Sequence, residues 1–324
     1  MNPADGRRPA LALVPKLREE PRTRTLGAVE LLPDRVRAAL LGMDGTVLRR
    51  AEAPYPGATA TAAEIGDVLL DAAAKCFGEQ LPIGIGVAAA GLVDPAAGTI
   101  IDVYDAPALH GFPVAEVLHD RFGTPVHLEH RARLQVLGDR WFGAGRGRSA
   151  FASVSTGEVL GVGILYEGQV LAPPGGRSGA HMTVAASGAL CTCGARGCWK
   201  TLATTPWLSS RAAELGFSPG TGLAGLAGSD DPAAVSLVDE YAANLALGLV
   251  NVQQLFAPGL FVLHGEARDG GERFRERIER RLREDSSWAG SAEQPAVVVS
   301  EGAVDDIALL GGAGLVLSKG HSTA

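Results

Sequence analysis

Aromatic residues are scarce: Phe, Trp and Tyr together make up 5% of the 324 residues. A β-sandwich core relies on large side chains and fits that shortage poorly. Many short α/β connections suit the 43 glycines and 19 prolines better. Positive charge is also in deficit, with 29 Lys and Arg against 36 Asp and Glu, a net charge of −7. That balance argues against a chain-wide basic surface for gathering nucleic acid, so any DNA contact would be local. No apolar run reaches the roughly 20 residues that span a bilayer, and Met1 to Arg24 lacks the unbroken apolar core of a secretory signal. The expected compartment is therefore the cytoplasm, with no membrane partner. No period of 20–50 residues recurs, which excludes a solenoid. The four cysteines, three of them within eight residues, point to metal ligation in a reducing compartment rather than a disulfide framework.

What is present divides into three stretches. Residues 1–24 mix Arg7, Arg8, Lys16, Arg18, Arg22 and Arg24 with Asp5, Glu19, Glu20 and prolines. They read as an arm or linker-like segment, with a short strand over Ala10–Val14; a solvated tail is a simpler account than a DNA-contacting arm. From Leu26 the pattern becomes regular. Leu26–Leu31, Val36–Met43 and Thr46–Arg49 read as strands, with Asp44-Gly45 as a two-residue hairpin signal. Helices are predicted over Thr59–Phe77, Val114–Phe122 and Ala132–Phe142, and strands over Ile83–Val87 and Val126–Glu129.

Past residue 124 a similar set begins: strands at Ala150–Ser155, Gly161–Tyr166 and Gln169–Leu171, then helices. Ala233–Phe256 carries Val238, Tyr241, Ala242, Leu245, Leu249 and Val252 on one stripe. A strand follows at Leu260–Leu263. Glu272–Glu284 places Phe274, Ile278 and Leu282 four residues apart, and its arginines would suit nucleic acid were Glu276 and Glu279 not interleaved; a solvated, ion-paired face is the better reading. These patterns predict two α/β lobes around a cleft, residues 25–124 and 125–324, with a last helix at about 307–317 returning to the first lobe.

The most specific constellation is Cys191-Thr-Cys193-Gly-Ala-Arg-Gly-Cys198. Gly194 and Gly197 let the backbone fold tightly enough to gather three sulfurs. His181, ten residues before Cys191, supplies a fourth ligand. Three thiolates and an imidazole make a closed tetrahedral Zn²⁺ site of structural type, with no open position for catalysis. Free thiols beside a coincidental histidine are the competing account.

Together with His181-Met-Thr-Val, that motif resembles the signature of the ROK family (repressors, open reading frames and kinases). Gly84-Ile-Gly-Val-Ala-Ala-Ala-Gly91-Leu-Val-Asp94, Gly138-Asp-Arg-Trp-Phe142-Gly-Ala-Gly145 and Asp44-Gly45-Thr-Val-Leu extend the similarity from about Gly6 to Leu317. The resemblance implies a two-lobed, actin-like (ribonuclease-H-like) sugar kinase fold with a structural zinc loop. Sugar and ATP would share the cleft, commonly in a dimer or tetramer.

Against that family pattern the chemical parts are altered. The phosphate turn of D-x-G-G-T type corresponds to Glu30-Leu-Leu32-Pro33-Asp34: Leu32 fills the phosphate space, Pro33 has no N–H, and Asp34 adds negative charge. In the second Gly-rich turn, Gly157 to Gly163, Glu158 replaces a hydroxyl residue and Val159 a glycine. An uncompensated carboxylate about 4 Å from a phosphate charge costs roughly 4 kcal/mol at an effective dielectric of ~20, unless Mg²⁺ intervenes. His264-Gly265-Glu266 stands where the kinases have a run of glycines. These changes argue against ATP and Mg²⁺ as cofactors.

The family's Asn-Asp pair, whose Asp takes the proton from the sugar hydroxyl, corresponds to His130-Arg131. Arginine stays protonated and accepts no proton, so no catalytic residue is assigned; His130 and Glu129 would be substitute bases with a different aim. The sugar-binding glutamate corresponds to Ser178 and the asparagine of the preceding loop to Ala108, leaving His181. Glu129, His130, Arg131, Arg133, Ser178, His181 and Ala108 are the candidate ligand cleft. Its cations suit a sugar or an acidic or phosphorylated sugar.

Gly6-Arg-Arg-Pro-Ala-Leu-Ala-Leu-Val-Pro resembles the stretch that joins the winged helix-turn-helix to this fold in ROK repressors. The few residues before Gly6 do not accommodate such a reader, so no specific DNA binding is expected of this chain alone. The reading that results is a catalytically inactive, effector-sensing regulator. The alternatives are an ATP-dependent, glucokinase-like sugar kinase, and a scaffold or pathway enzyme reusing the cleft.

Overall fold

The computed structural model describes residues 24–103, 106–173, 178–286, 294–301 and 306–321. The expected strand at Ala10–Val14 lies outside the described residues, as does nearly all of the expected arm.

Two five-stranded sheets share one plan. In the first, β1 (Thr25–Leu31), β2 (Arg35–Gly42) and β3 (Val47–Pro54) form an antiparallel meander. After helix α1 (Ala62–Phe77), β4 (Ile85–Ala89) pairs parallel to β1. A small hairpin of β5 (Leu92–Asp94) and β6 (Thr99–Asp102) and helix α2 (Val114–Phe122) lead to β7 (Val126–His130), parallel to β4. The order is β3-β2-β1-β4-β7.

Helix α3 (Arg131–Phe142) then leads to the second meander, β8 (Phe151–Thr156), β9 (Gly161–Tyr166) and β10 (Gln169–Val170). Helices α4 (Thr205–Glu214), α5 (Leu223–Ala227) and α6 (Pro232–Phe256) precede β11 (Leu260–Gly265). Helix α7 (Gly271–Asp285) connects β11 to β12 (Ala296–Val299), and α8 (Asp306–His321) closes the chain. Here the order is β10-β9-β8-β11-β12. Because β7 belongs to the first sheet, that sheet extends past the division at 124/125 read from the sequence.

Local chemistry accounts for most boundaries. Thr61 and Glu64 form a reciprocal capping box, so α1 starts at Ala62 rather than at Thr59. Its apolar face, from Ile65 and Leu69 to Phe77, is fully buried against the first sheet. The β2–β3 turn is longer than the two residues expected. Gly42 N–H donates to Thr46 O at 2.8 Å, Asp44 accepts from Thr46 N and Oγ1, and a bulge at Leu40/Leu41 shifts the register. The stripe on α6 is buried as the periodicity requires: Val238, Tyr241, Ala242, Leu245, Leu249 and Val252 all enter the second core. Helix α6 is long and apolar enough to cross a bilayer, yet half of that segment is buried within the fold. On α7 several of the arginines are paired, Arg275 and Arg283 with Glu279 at 2.6 Å and Arg281 with Asp285 at 2.7 Å.

The two sheets are joined through α3 and α8, which pack on each other and on β4. Close approach there depends on small residues. A Cβ on Gly86 of β4 would sit 2.0 Å from the Gly312 carbonyl oxygen of α8.

Candidate functional site

The metal-type cluster is built by a loop that folds back on the segment after β10. Val184 N–H donates to Gly197 O at 2.8 Å and Cys191 N–H to Ala195 O at 2.8 Å. Gly197 has φ +67°, and a Cβ there would lie 1.6 Å from Ala185 O, so only glycine closes the loop. His181 Nδ1 lies 3.6 Å from Cys191 Sγ, and Cys193 Sγ lies 3.7 Å from Cys198 Sγ. One ligand atom from each of the four residues falls within 4.8 Å of the others. A tetrahedral ion with Zn–S bonds of about 2.3 Å needs sulfur–sulfur edges of about 3.8 Å, so the four residues fit such an ion. Burial and the neighbouring thiols push Cys198 up to about 12; a cation at the centre reverses that penalty by ligating thiolate.

Immediately after the cluster, Trp199 is fully buried and its indole N–H donates to Asn244 O at 2.9 Å. The backbone N–H groups of Trp199 and Lys200 donate to Met182 O and Ala180 O. The loop is thereby registered against the segment that carries Ser178 and His181.

The cleft is divided by a polar network. Glu30, on β1, is wholly buried and is met by two guanidinium groups: Arg37 Nη1 at 2.7 Å and Arg131 Nε at 2.5 Å. Arg131 Nη1 also donates to Ser155 Oγ at 3.1 Å, and Ser155 donates to Gln135 Oε1 at 2.7 Å. Arg131, the first residue of α3, thus ties the first sheet to the second. On one side of it is a cavity of about 190 Å³ lined by Leu32, Pro33, His130, Ser178, His181 and Lys200, among others. On the other is a cavity of about 290 Å³ reached by Arg35, Arg37, His264, Glu266 and Asp269. Leu32, Arg131, Ser155, Glu158 and Val159 line both and form the partition.

The first turn is closed on itself. Leu32 N–H donates to Arg35 O at 3.0 Å, Tyr55 N–H donates to Asp34 O, and Tyr55 Oη donates to Leu32 O. Leu32 is buried, and Asp34 pairs with Arg35 at the surface at 2.9 Å. In the second turn Gly157 O accepts from Thr205 N–H, while Val159 is exposed at the partition. Beyond it Glu266 accepts from Tyr241 Oη at 2.9 Å and Thr205 Oγ1 at 3.0 Å. Burial raises its carboxyl above the ordinary range despite these bonds.

The candidate cleft residues do not all converge. His130 is the N-cap of α3, its Nδ1 accepting from Ala132 N–H at 3.2 Å. Glu129 accepts from His130 N–H at 2.7 Å and from Arg133 Nη1 at 3.2 Å, and Arg133 also donates to Pro173 O. Neither Glu129 nor Arg133 lines either cavity, and Ala108 packs into the first core. The expected cationic pocket is corrected accordingly: Arg131 and Arg133 are each matched by a carboxylate. Sequence reasoning missed Lys200, Ser155, Gln135, the partner role of Glu30, and a buried pair in which His264 Nε2 lies 2.7 Å from Asp139 Oδ2, which also accepts from Ser153 Oγ. Only the arginine at position 131 hinted that a carboxylate must stand opposite.

Comparison with known proteins sets these features in a family. The profile described as ROK family matches residues 26–319. A glucokinase of Thermotoga maritima is 28% identical over 267 residues, covering 75% of this chain and 81% of that protein. The xylose repressor of Bacillus subtilis is 25% identical over 246 residues, covering 71% of this chain and 61% of the repressor. Among solved structures, a ROK family glucokinase from Streptomyces griseus in complex with glucose and AMPPNP superposes with TM-score 0.75 at 24% identity, covering 90% and 98% of the two chains. A ROK family transcriptional regulator, a homologue of the E. coli MLC protein, gives 0.79 at 20%, covering 91% and 78%. The chain belongs to the ROK family and has its actin-like sugar kinase fold.

Proposed function

We propose that this chain is a catalytically inactive ROK protein that senses a small carbohydrate ligand, of the regulator type, and does not phosphorylate it. The observation that carries the proposal is the Arg131–Glu30 ion pair. A sugar kinase needs a group that accepts the hydroxyl proton as the phosphoryl group is transferred. At the family's position for it stands a permanently charged guanidinium, held at 2.5 Å by a buried carboxylate. His130, the adjacent candidate, accepts a backbone N–H as a helix cap.

The nucleotide half supports the same reading. The first turn's N–H at Leu32 is directed to Arg35 O rather than to a phosphate, and Glu158, Glu266 and Asp269 line the cavity where phosphates would lie. The regulator branch draws on the similarity to xylose repressors, beside which glucokinases match equally well. The metal cluster is assigned to structural Zn²⁺, whose ligation would hold the loop beside the sugar-side cavity without taking part in chemistry. Ligand binding on that side would act through the α3–α8 junction between the sheets.

The test is a panel of hexoses, pentoses and amino sugars with ATP and Mg²⁺, read as ADP release from zinc-replete protein. No turnover is expected with any of them. ADP release dependent on one sugar, and abolished by a substitution in the cleft, overturns the proposal in favour of a kinase.

A further inference from the structure

The sugar-side cavity holds one cation that no carboxylate answers. Arg131 is matched by Glu30. Lys200 lines the same cavity, and its ammonium makes one hydrogen bond, to Thr192 Oγ1 at 3.4 Å. It forms no ion pair with the described carboxylates. The one carboxylate lining this cavity, Glu158, belongs to the partition that it shares with the nucleotide half; Lys200 lines the sugar side only.

Lys200 is also held in place. It follows Cys198 and the fully buried Trp199, and its own N–H donates to Ala180 O at 2.9 Å, one residue from His181. Its backbone is therefore fixed from two directions, while the residue is only half-buried and lines the cavity. Besides Lys200 the charged groups of the cavity are Arg131, neutralised by Glu30, and the partition carboxylate Glu158, and the rest of the lining is hydroxyl, imidazole and apolar. An unmatched, positioned cation away from the partition selects for a ligand with polar hydroxyls and one negative charge.

We infer that the ligand of this cavity is an anionic monosaccharide, a sugar acid or a sugar phosphate, and that Lys200 binds its charged group at the end nearest the metal loop. This inference rests on the cavity being a ligand site, as the proposed function holds.

Isothermal titration calorimetry of the zinc-replete protein with glucose, glucuronate, glucose 6-phosphate and inorganic phosphate tests it. At least one of the two anionic sugars is expected to bind tenfold or more tighter than glucose, and which one does so separates carboxylate from phosphate. Lys200→Met should shrink that gap to threefold or less with the melting temperature unchanged. Lys200→Arg should keep most of it, and raised salt should narrow it in the wild type. A gap that survives in Lys200→Met overturns the inference. So does glucose binding as tightly as either anion, inorganic phosphate binding equally to both proteins, or no heat with any compound. Adding ATP and Mg²⁺ to the same samples reads the parent proposal separately: charge-blind binding without ADP release sinks the role of Lys200 alone, whereas ADP release sinks the inactive reading.

Discussion

Arg131 and Glu30 are 101 residues apart in sequence and 2.5 Å apart in space. Their pairing converts what would be two costs into one closed network. Glu30 has no exposed surface and would be unsupportable as a lone charge; Arg131 would repel any cation in the cleft. Together with Arg37 and Ser155 they join β1, β2, β8 and the start of α3 at the point where the two halves of the cleft meet.

Removing one member should therefore destabilise the fold. Arg131→Met, which leaves Glu30 with Arg37 alone, is expected to lose about 3 kcal/mol in urea unfolding. Arg131→Asp should lose more, because it sets two carboxylates against each other, and it should restore no phosphorylation. A stable Arg131→Asp variant that phosphorylates a sugar with ATP would contradict both expectations.

The buried Asp139 is a second such centre, accepting from Ser153 Oγ at 2.5 Å and lying 2.7 Å from His264 Nε2. Asp139→Ala strands both partners and should cost about 3 kcal/mol. Asp139→Asn, which still offers an oxygen, should cost less. Equal midpoints for the two variants in a denaturant titration would show that the hydrogen bonds contribute little.

Glu266 should make stability fall as pH rises. Burial, the largest influence on it, raises its folded-state pKa above the unfolded value, so the native state holds the proton more tightly. Stability from this group is full below the unfolded pKa and is lost as pH climbs through the folded one. Glu266→Gln keeps an acceptor for Tyr241 and Thr205 and should flatten that part of the profile. Unfolding midpoints measured from pH 4 upward for both proteins compare the slopes; unchanged slopes would refute the assignment.

Metal content checks the loop. Elemental analysis should find one zinc per chain, and Cys193→Ser should reduce it by at least tenfold while lowering the melting temperature. Chelation of the wild type should loosen the Trp199–Thr201 turn first, visible as faster amide exchange there than in α6.

At the α8 contact, Gly86→Ala should be destabilising by about 1–3 kcal/mol, since its Cβ would meet backbone at 2.0 Å. An expressed variant with wild-type stability would mean that α8 shifts freely over β4.

Local signals in the chain foretold most elements to within a few residues. Periodicity located α6 and α7, the Asp44-Gly45 pair marked the β2–β3 turn, though not its length, and the Cys-Gly spacing pointed to three members of the cluster that could hold a metal ion. The short β5–β6 hairpin, α4 and β12 went unread, because each is too brief or too mixed to show a period and is stabilised by neighbours distant in sequence. The same limit applied to the cleft. Residue types at 129–133 told that the cleft carries arginines, but not where Arg131 would point.

By itself the sequence determined the family, the two-lobed α/β plan and the His181–Cys191–Cys193–Cys198 cluster that could hold a metal ion, since each depends on residues near one another or on side-chain chemistry. Only the tertiary structure decided which charges meet. It paired Arg131 with Glu30 and Arg133 with Glu129, and it left Lys200 facing the cavity, because electrostatic matching depends on distances of a few ångströms between segments that folding alone brings together.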